Sequence, residues 1–63
     1  MYIYIIVVKK SNHYDAISNE AYRTLSDAQR FIEGRSDNPQ KYSEFNYKSD
    51  ELIYEIVEVK VCH

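Results

Sequence analysis

Two histidines, one cysteine, ten carboxylates and seven tyrosines carry whatever chemistry this 63-residue chain can perform. Cys62 and His63 stand side by side at the end of the sequence and could ligate a metal. Zinc sites, however, need three or four convergent ligands, so the pair reads as a fraying terminus. His13 lies in the polar stretch Lys10-Ser11-Asn12-His13 and reads as a solvated loop residue. A phosphate-cradling loop needs several glycines, and Gly34 is the only one. Carboxylates do acid–base work only when the fold brings two together around a substrate, and no spacing here requires that. The sequence therefore predicts a protein that is not an enzyme, with no metal and no cofactor.

Binding chemistry is what remains. From Glu44 to Glu58 there are five carboxylates, Glu44, Asp50, Glu51, Glu55 and Glu58, against Lys48 alone, whereas the first ten residues carry only Lys9 and Lys10. An acidic stretch of this kind could imitate a phosphate backbone and dock on a basic, nucleic-acid-binding protein; the alternative is an ordinary solvated strand edge. Direct nucleic-acid binding is disfavoured, because phosphate contacts demand a basic excess and the net charge is −2. A minority reading keeps it open: Tyr2 and Tyr4, two apart on a strand, could stack bases as sheet-borne aromatics do in RNA-binding modules.

The elements that position these groups follow from periodicity. Residues 2–9, Tyr-Ile-Tyr-Ile-Ile-Val-Val-Lys, are β-branched or aromatic throughout and predict a strand. A weaker strand is expected over about 14–22. Leu25, Ala28, Phe31 and Ile32 fall on one face of a helix, capped by Thr24 or Ser26, with Gly34 expected as a left-handed residue at its end. Residues 35–50 hold the only proline and few aliphatics, and predict a long polar loop. Residues 52–61, Leu-Ile-Tyr-Glu-Ile-Val-Glu-Val-Lys-Val, predict the last strand. Strict alternation there would set a carboxylate among apolar neighbours on either face, which is costly without a partner. A bulge near Val57-Glu58 would relieve this.

The expected fold is α+β, a single small domain over residues 1–63. It is β-β-α-β, a three-stranded antiparallel sheet of order 2-1-3 with one helix packed on one face. Because the first strand is apolar on both faces and one helix covers only one, a second apolar surface is predicted. With Ile3, Ile5 and Val7 inward, the exposed strip is Tyr2, Tyr4, Ile6 and Val8, joined by Ile53 or Val57. Such patches mark interaction sites, and tyrosine is enriched at interface anchors. A homodimer through this face or through an edge strand is the expected use; the alternative is that loop 35–50 folds back and covers it with Tyr42, Phe45 and Tyr47. One cysteine rules out an intramolecular disulfide and suggests a cytoplasmic setting. The apolar run 2–8 is too short to span a bilayer and lacks the flanks of a signal peptide, so no membrane role is expected.

Tyr22-Arg-Thr-Leu-Ser-Asp-Ala-Gln-Arg-Phe-Ile32, set between an N-terminal Tyr-Ile-Ile-Val-Val strand and Tyr54-x-Ile-x-x-Val-x-Val61, resembles a loose group of very short phage and prophage proteins of Gram-positive bacteria. In that group an Ala-x-x-Phe-Ile helix follows an aromatic-Ser/Thr turn and a Tyr-x-Ile strand closes the fold. The likeness spans most of the chain but departs from the group over 35–50. It implies a fold and no catalytic residue. It also implies a protein that binds a host protein and blocks or modulates it, in the host cytoplasm.

Overall fold

The computed structural model describes residues 1–10, 13–16 and 21–62. The elements run β1 (Tyr2–Lys10), β2 (His13–Ala16), α1 (Leu25–Glu33), β3 (Gln40–Ser43), β4 (Asn46–Lys48) and β5 (Ile53–Lys60). Among the described residues every strand pairing is antiparallel, and the sheet has five strands in the order β2-β1-β5-β4-β3. The three-stranded sheet expected from sequence is thus corrected. Residues 35–50 are not a loop but contribute the β3–β4 hairpin. Its strands escape pattern reading because all four residues of β3 are exposed, as suits a polar edge strand that discourages pairing with other chains. The short turn is closed by Asn46 Nδ2, which donates to Ser43 Oγ at 2.7 Å. Tyr22 extends the β2 side of the sheet through a bridge to Tyr4. Residues 17–20 of the strand expected over 14–22 lie outside the described residues.

β1 and β5 pair in unbroken register from Tyr2↔Lys60 to Lys9↔Ile53. The bulge expected near Val57-Glu58 does not form, because each carboxylate of the strand finds a partner where strict alternation leaves it. Glu58 lies opposite Tyr4 and accepts its hydroxyl at 3.1 Å. Glu55, on the other face, sits 3.6 Å from Lys9 Nζ. A paired carboxylate at the margin of a face costs little, so nothing is gained by breaking the ladder.

Helix α1 lies on the face bearing Ile6 and Val8, the opposite of the assignment made from sequence. Ile6, Val8, Ala28, Ile32, Tyr47, Tyr54 and Ile56 form the core, with Tyr4, Tyr22, Leu25 and Leu52 packed against it. Phe31, expected on the packed face, is 37% exposed and instead meets the ring of Tyr22 at 5.9 Å. The two largest core residues are tyrosines paired across strands, Tyr47↔Tyr54, each wholly buried. A buried hydroxyl without a partner would cost on the order of 1–3 kcal/mol. Here Tyr47 donates to Glu33 Oε2 at 2.7 Å and Tyr54 to Asp37 Oδ2 at 2.6 Å. Glu33 is the last residue of α1 and Asp37 lies four residues beyond it, so the core tyrosines fasten the end of α1 to the sheet.

Thr24, extended at φ −129° and ψ 151°, caps the helix by accepting from the Asp27 amide at 3.1 Å. Gly34 is not left-handed: its φ is −85°. The turn is made by a last helical hydrogen bond, Gly34 N–H to Arg30 O, and a tighter three-residue one, Arg35 N–H to Ile32 O. The one described non-glycine residue with positive φ is Asn38, at 51°, a residue type that tolerates this region well.

Candidate interaction surface

Register assigns every residue of β1, β5 and β4 to one of two faces, since neighbours across a ladder share a side. Opposite the helix lie Ile3 beside Val59, Ile5 beside Val57, Val7 beside Glu55 and Lys9 beside Ile53. Asn46 and Lys48 of β4 adjoin Glu55 and Ile53 on the same side. Ile3, Ile5, Val57 and Val59 are half-buried, shielded by one another and by no helix, for α1 is the one helix among the described residues. The result is an apolar stripe along the two central strands. At one end it is bounded by the Lys9–Glu55 ion pair, with both side chains about a third exposed.

Beyond that end the same face runs into a shallow open cleft of ≈ 960 Å³, lined by Asp37, Gln40, Tyr42, Lys48, Asp50 and Ile53 among others. Tyr42 is 60% exposed at its wall. The cleft has an aromatic plate and both signs of charge, and the Ser49 hydroxyl lines it together with the Asp37 carboxylate.

The residues singled out from sequence are scattered by this arrangement. Ile6 and Val8 are core residues beneath α1 and offer no contact surface. Tyr4 is partly buried on the helix face, and only Tyr2, 45% exposed, is open. The apolar strip opposite the helix is therefore the half-buried Ile3, Ile5, Val57 and Val59, not Tyr2, Tyr4, Ile6 and Val8. The acidic residues do not form one surface. Glu55 and Glu58 occupy opposite faces of β5, Glu44 lies in the β3–β4 turn, and Asp50 and Glu51 lie in the β4–β5 turn at the other end of β4. Glu44 is held by Gln29, whose Nε2 donates to its main-chain oxygen at 2.8 Å, and by Lys41 at 3.6 Å.

Proton affinities tell the same story. Burial raises the phenols of Tyr47 and Tyr54, and hydrogen bonds to Glu33 and Asp37 raise them further. Tyr4 is raised by burial and by Glu58. Asp37 is lowered, chiefly by the hydrogen bond from Tyr54. Each of these shifts belongs to a hydroxyl–carboxylate pair. Among the described residues no three of His, Cys, Asp and Glu converge on a metal position, and no helix is long and apolar enough to cross a membrane. Cys62 is free and exposed; His63, its expected companion, and the side chain of His13 lie outside the described residues.

No protein-family model, curated protein or solved structure matches this chain.

The helix-free stripe was the feature sequence reasoning misplaced. Its signal was nevertheless present in β5, where the larger Tyr54 and Ile56 alternate with Val57 and Val59. The larger side chains reach the helix, and the valines line the other side.

Proposed function

We propose that this chain is a non-enzymatic protein-binding module that docks through the helix-free face of its sheet. One observation carries the reading: Ile3, Ile5, Val57 and Val59, each half-buried, form a continuous apolar stripe that no helix covers among the described residues. Contiguous apolar surface of this kind on a small protein is characteristic of an interaction site. The resemblance to short phage proteins supplies the class of partner, a host protein whose action is blocked or modulated. The base-stacking alternative is weakened by Tyr4, which is packed against the core with its hydroxyl tied to Glu58. The phosphate-mimic reading is weakened by the dispersal of the acidic residues over both faces and two turns.

The test is a comparison of V57K with E58Q, a substitution on the opposite face, each checked for folding by circular dichroism. Each protein is immobilised and exposed to bacterial lysate. E58Q is expected to retain whatever the unmodified chain captures, and V57K to lose it. Equal capture by the two overturns the assignment of this face.

A further inference from the structure

All three arginines of the chain, Arg23, Arg30 and Arg35, lie within residues 23–35, whereas Lys9, Lys10, Lys41, Lys48 and Lys60 all lie outside it. The guanidinium groups thus gather on α1 and its two flanks, in a chain whose net charge is −2. We propose that this arginine–aromatic surface is a second contact site, independent of the helix-free face, and that it takes an acidic, extended segment of another protein.

The helix builds the surface. Burying Ala28 and Ile32 against the sheet turns Arg30 to solvent and leaves Asp27 and Phe31 exposed on the helix flank. The chain enters α1 through the bridge between Tyr22 and Tyr4, which sets the Tyr22 ring 5.9 Å from that of Phe31, tilted by 40°. The two rings wall a shallow hollow of ≈ 520 Å³ together with Arg23, Asp27 and Arg30. Phe31 is the one apolar residue of α1 left exposed, and the Arg35 guanidinium carbon lies 5.9 Å from the centre of its ring.

Charge and spacing then select the occupant. The ion pairs of the described residues join Lys9 to Glu55 and Lys41 to Glu44, so neither Arg23 nor Arg30 is committed to a carboxylate among them. Arg35 is partly engaged, since it helps to lower the Asp37 carboxyl. Guanidinium forks grip carboxylate or phosphate oxygens through paired hydrogen bonds, and the rings beside them favour a ligand that also brings an apolar side chain. Arginine with Tyr and Phe is the composition enriched where proteins meet proteins. A nucleic-acid backbone fits less well, because it presents a dense row of phosphates and the hollow also holds the Asp27 carboxylate. Asp27 suits a peptide instead, as an acceptor for main-chain N–H. From Thr24 to Arg30 the helix rises about 9 Å, and Arg23 stands one residue further out. Three extended residues span about 10 Å, so carboxylates three apart on a strand-like segment reach both arginines.

Fluorescence anisotropy tests this with three labelled probes: a peptide of repeating Glu-Leu-Gly, its Gln-Leu-Gly counterpart, and a single-stranded oligothymidylate. The unmodified chain is expected to bind the Glu peptide in preference to the other two. R23Q and R30Q are each expected to weaken that binding by about fivefold, the upper range for an ion pair at a protein surface, and F31A to weaken it as well. K41Q, which removes the same charge from β3, is expected to bind as the unmodified chain does; circular dichroism checks that each variant is folded. The proposal is overturned by no binding of the Glu peptide, by equal binding of the Gln peptide, or by arginine variants that bind as tightly as K41Q. Tighter binding of the oligonucleotide, lost in R30Q, overturns it too and makes the surface a nucleic-acid site. Lysate capture by V57K bears on the helix-free face alone, so the two readings fail separately.

Discussion

Replacing Tyr54 by Phe removes one oxygen at the margin of the core, where the buried ring of Tyr54 reaches Asp37. That oxygen donates to Asp37 Oδ2 at 2.6 Å, a bond to a charged acceptor, for which the net contribution is about 1.5–3 kcal/mol. Asp37 is itself exposed, so water replaces the lost donor and the lower end applies, about 1.5 kcal/mol. For a domain of this size each kcal/mol moves the melting temperature by about 4–8 °C, so Y54F should melt about 6–12 °C lower near neutral pH. Acid supplies the second arm. The Asp37 carboxyl is held below its ordinary value by Tyr54. The stability it contributes is therefore present above the unfolded carboxyl pKa of about 3.9 and is lost as pH falls through the lower, folded value. The unmodified chain should lose part of its advantage over Y54F as pH is taken from about 5 to about 2. Thermal unfolding followed by far-UV circular dichroism reads both effects. A Y54F protein that melts with the unmodified chain at neutral pH, or a difference that stays constant into acid, refutes the role assigned to this bond.

Alkali should act through the same pair in the opposite direction. The phenols of Tyr47 and Tyr54 are raised above 10.0, so their contribution is intact below that pH and drains away as pH climbs toward the folded values; Y47F should show a shallower alkaline loss in a pH series of melting temperatures. G34A should be stabilised rather than harmed, by about 0.5 kcal/mol: the backbone is not left-handed, and an added Cβ would meet Arg30 O at an ordinary 3.5 Å. A lower melting temperature in G34A would contradict that backbone assignment. T24A, which deletes the helix cap, should cost about 1 kcal/mol in denaturant titration. I32A empties a fully buried position and should cost about 2–5 kcal/mol, enough to leave a domain this small largely unfolded by circular dichroism.

The strands at either end of the chain and the helix between them were legible because their signals are local. Runs of Val and Ile specify extended backbone, and Thr24 before Leu25-x-x-Ala28 specifies a helix start. The β3–β4 hairpin was not legible, because all four residues of β3 are exposed, Tyr42 among them, and β4 offers one buried residue, Tyr47. What makes it a hairpin is non-local: Tyr47 packs opposite Tyr54 and finds Glu33, 14 residues earlier, as its acceptor. The facing of β1 was undecidable from its own residues, since a strand apolar on both sides carries no alternation to read. It is fixed by β5, where the ladder is continuous and Tyr4 meets Glu58. The same ambiguity inverted the candidate surface. The right kind of patch was expected on the wrong set of side chains, because two near-equivalent faces differ only in which one the bulky Tyr54 and Ile56 join.

The central ladder joins the first strand of the chain to the last, with Tyr2 opposite Lys60. During translation β1 therefore emerges from the ribosome well before the strand that shields its long edge. Local turns can form early, but this pairing must wait for closure of a large loop, the slow step in folds dominated by distant contacts. Until then a run of Ile and Val stands open to other nascent chains and to chaperones. The sheet that gives the native protein its order thus also sets the interval in which its aggregation hazard is greatest.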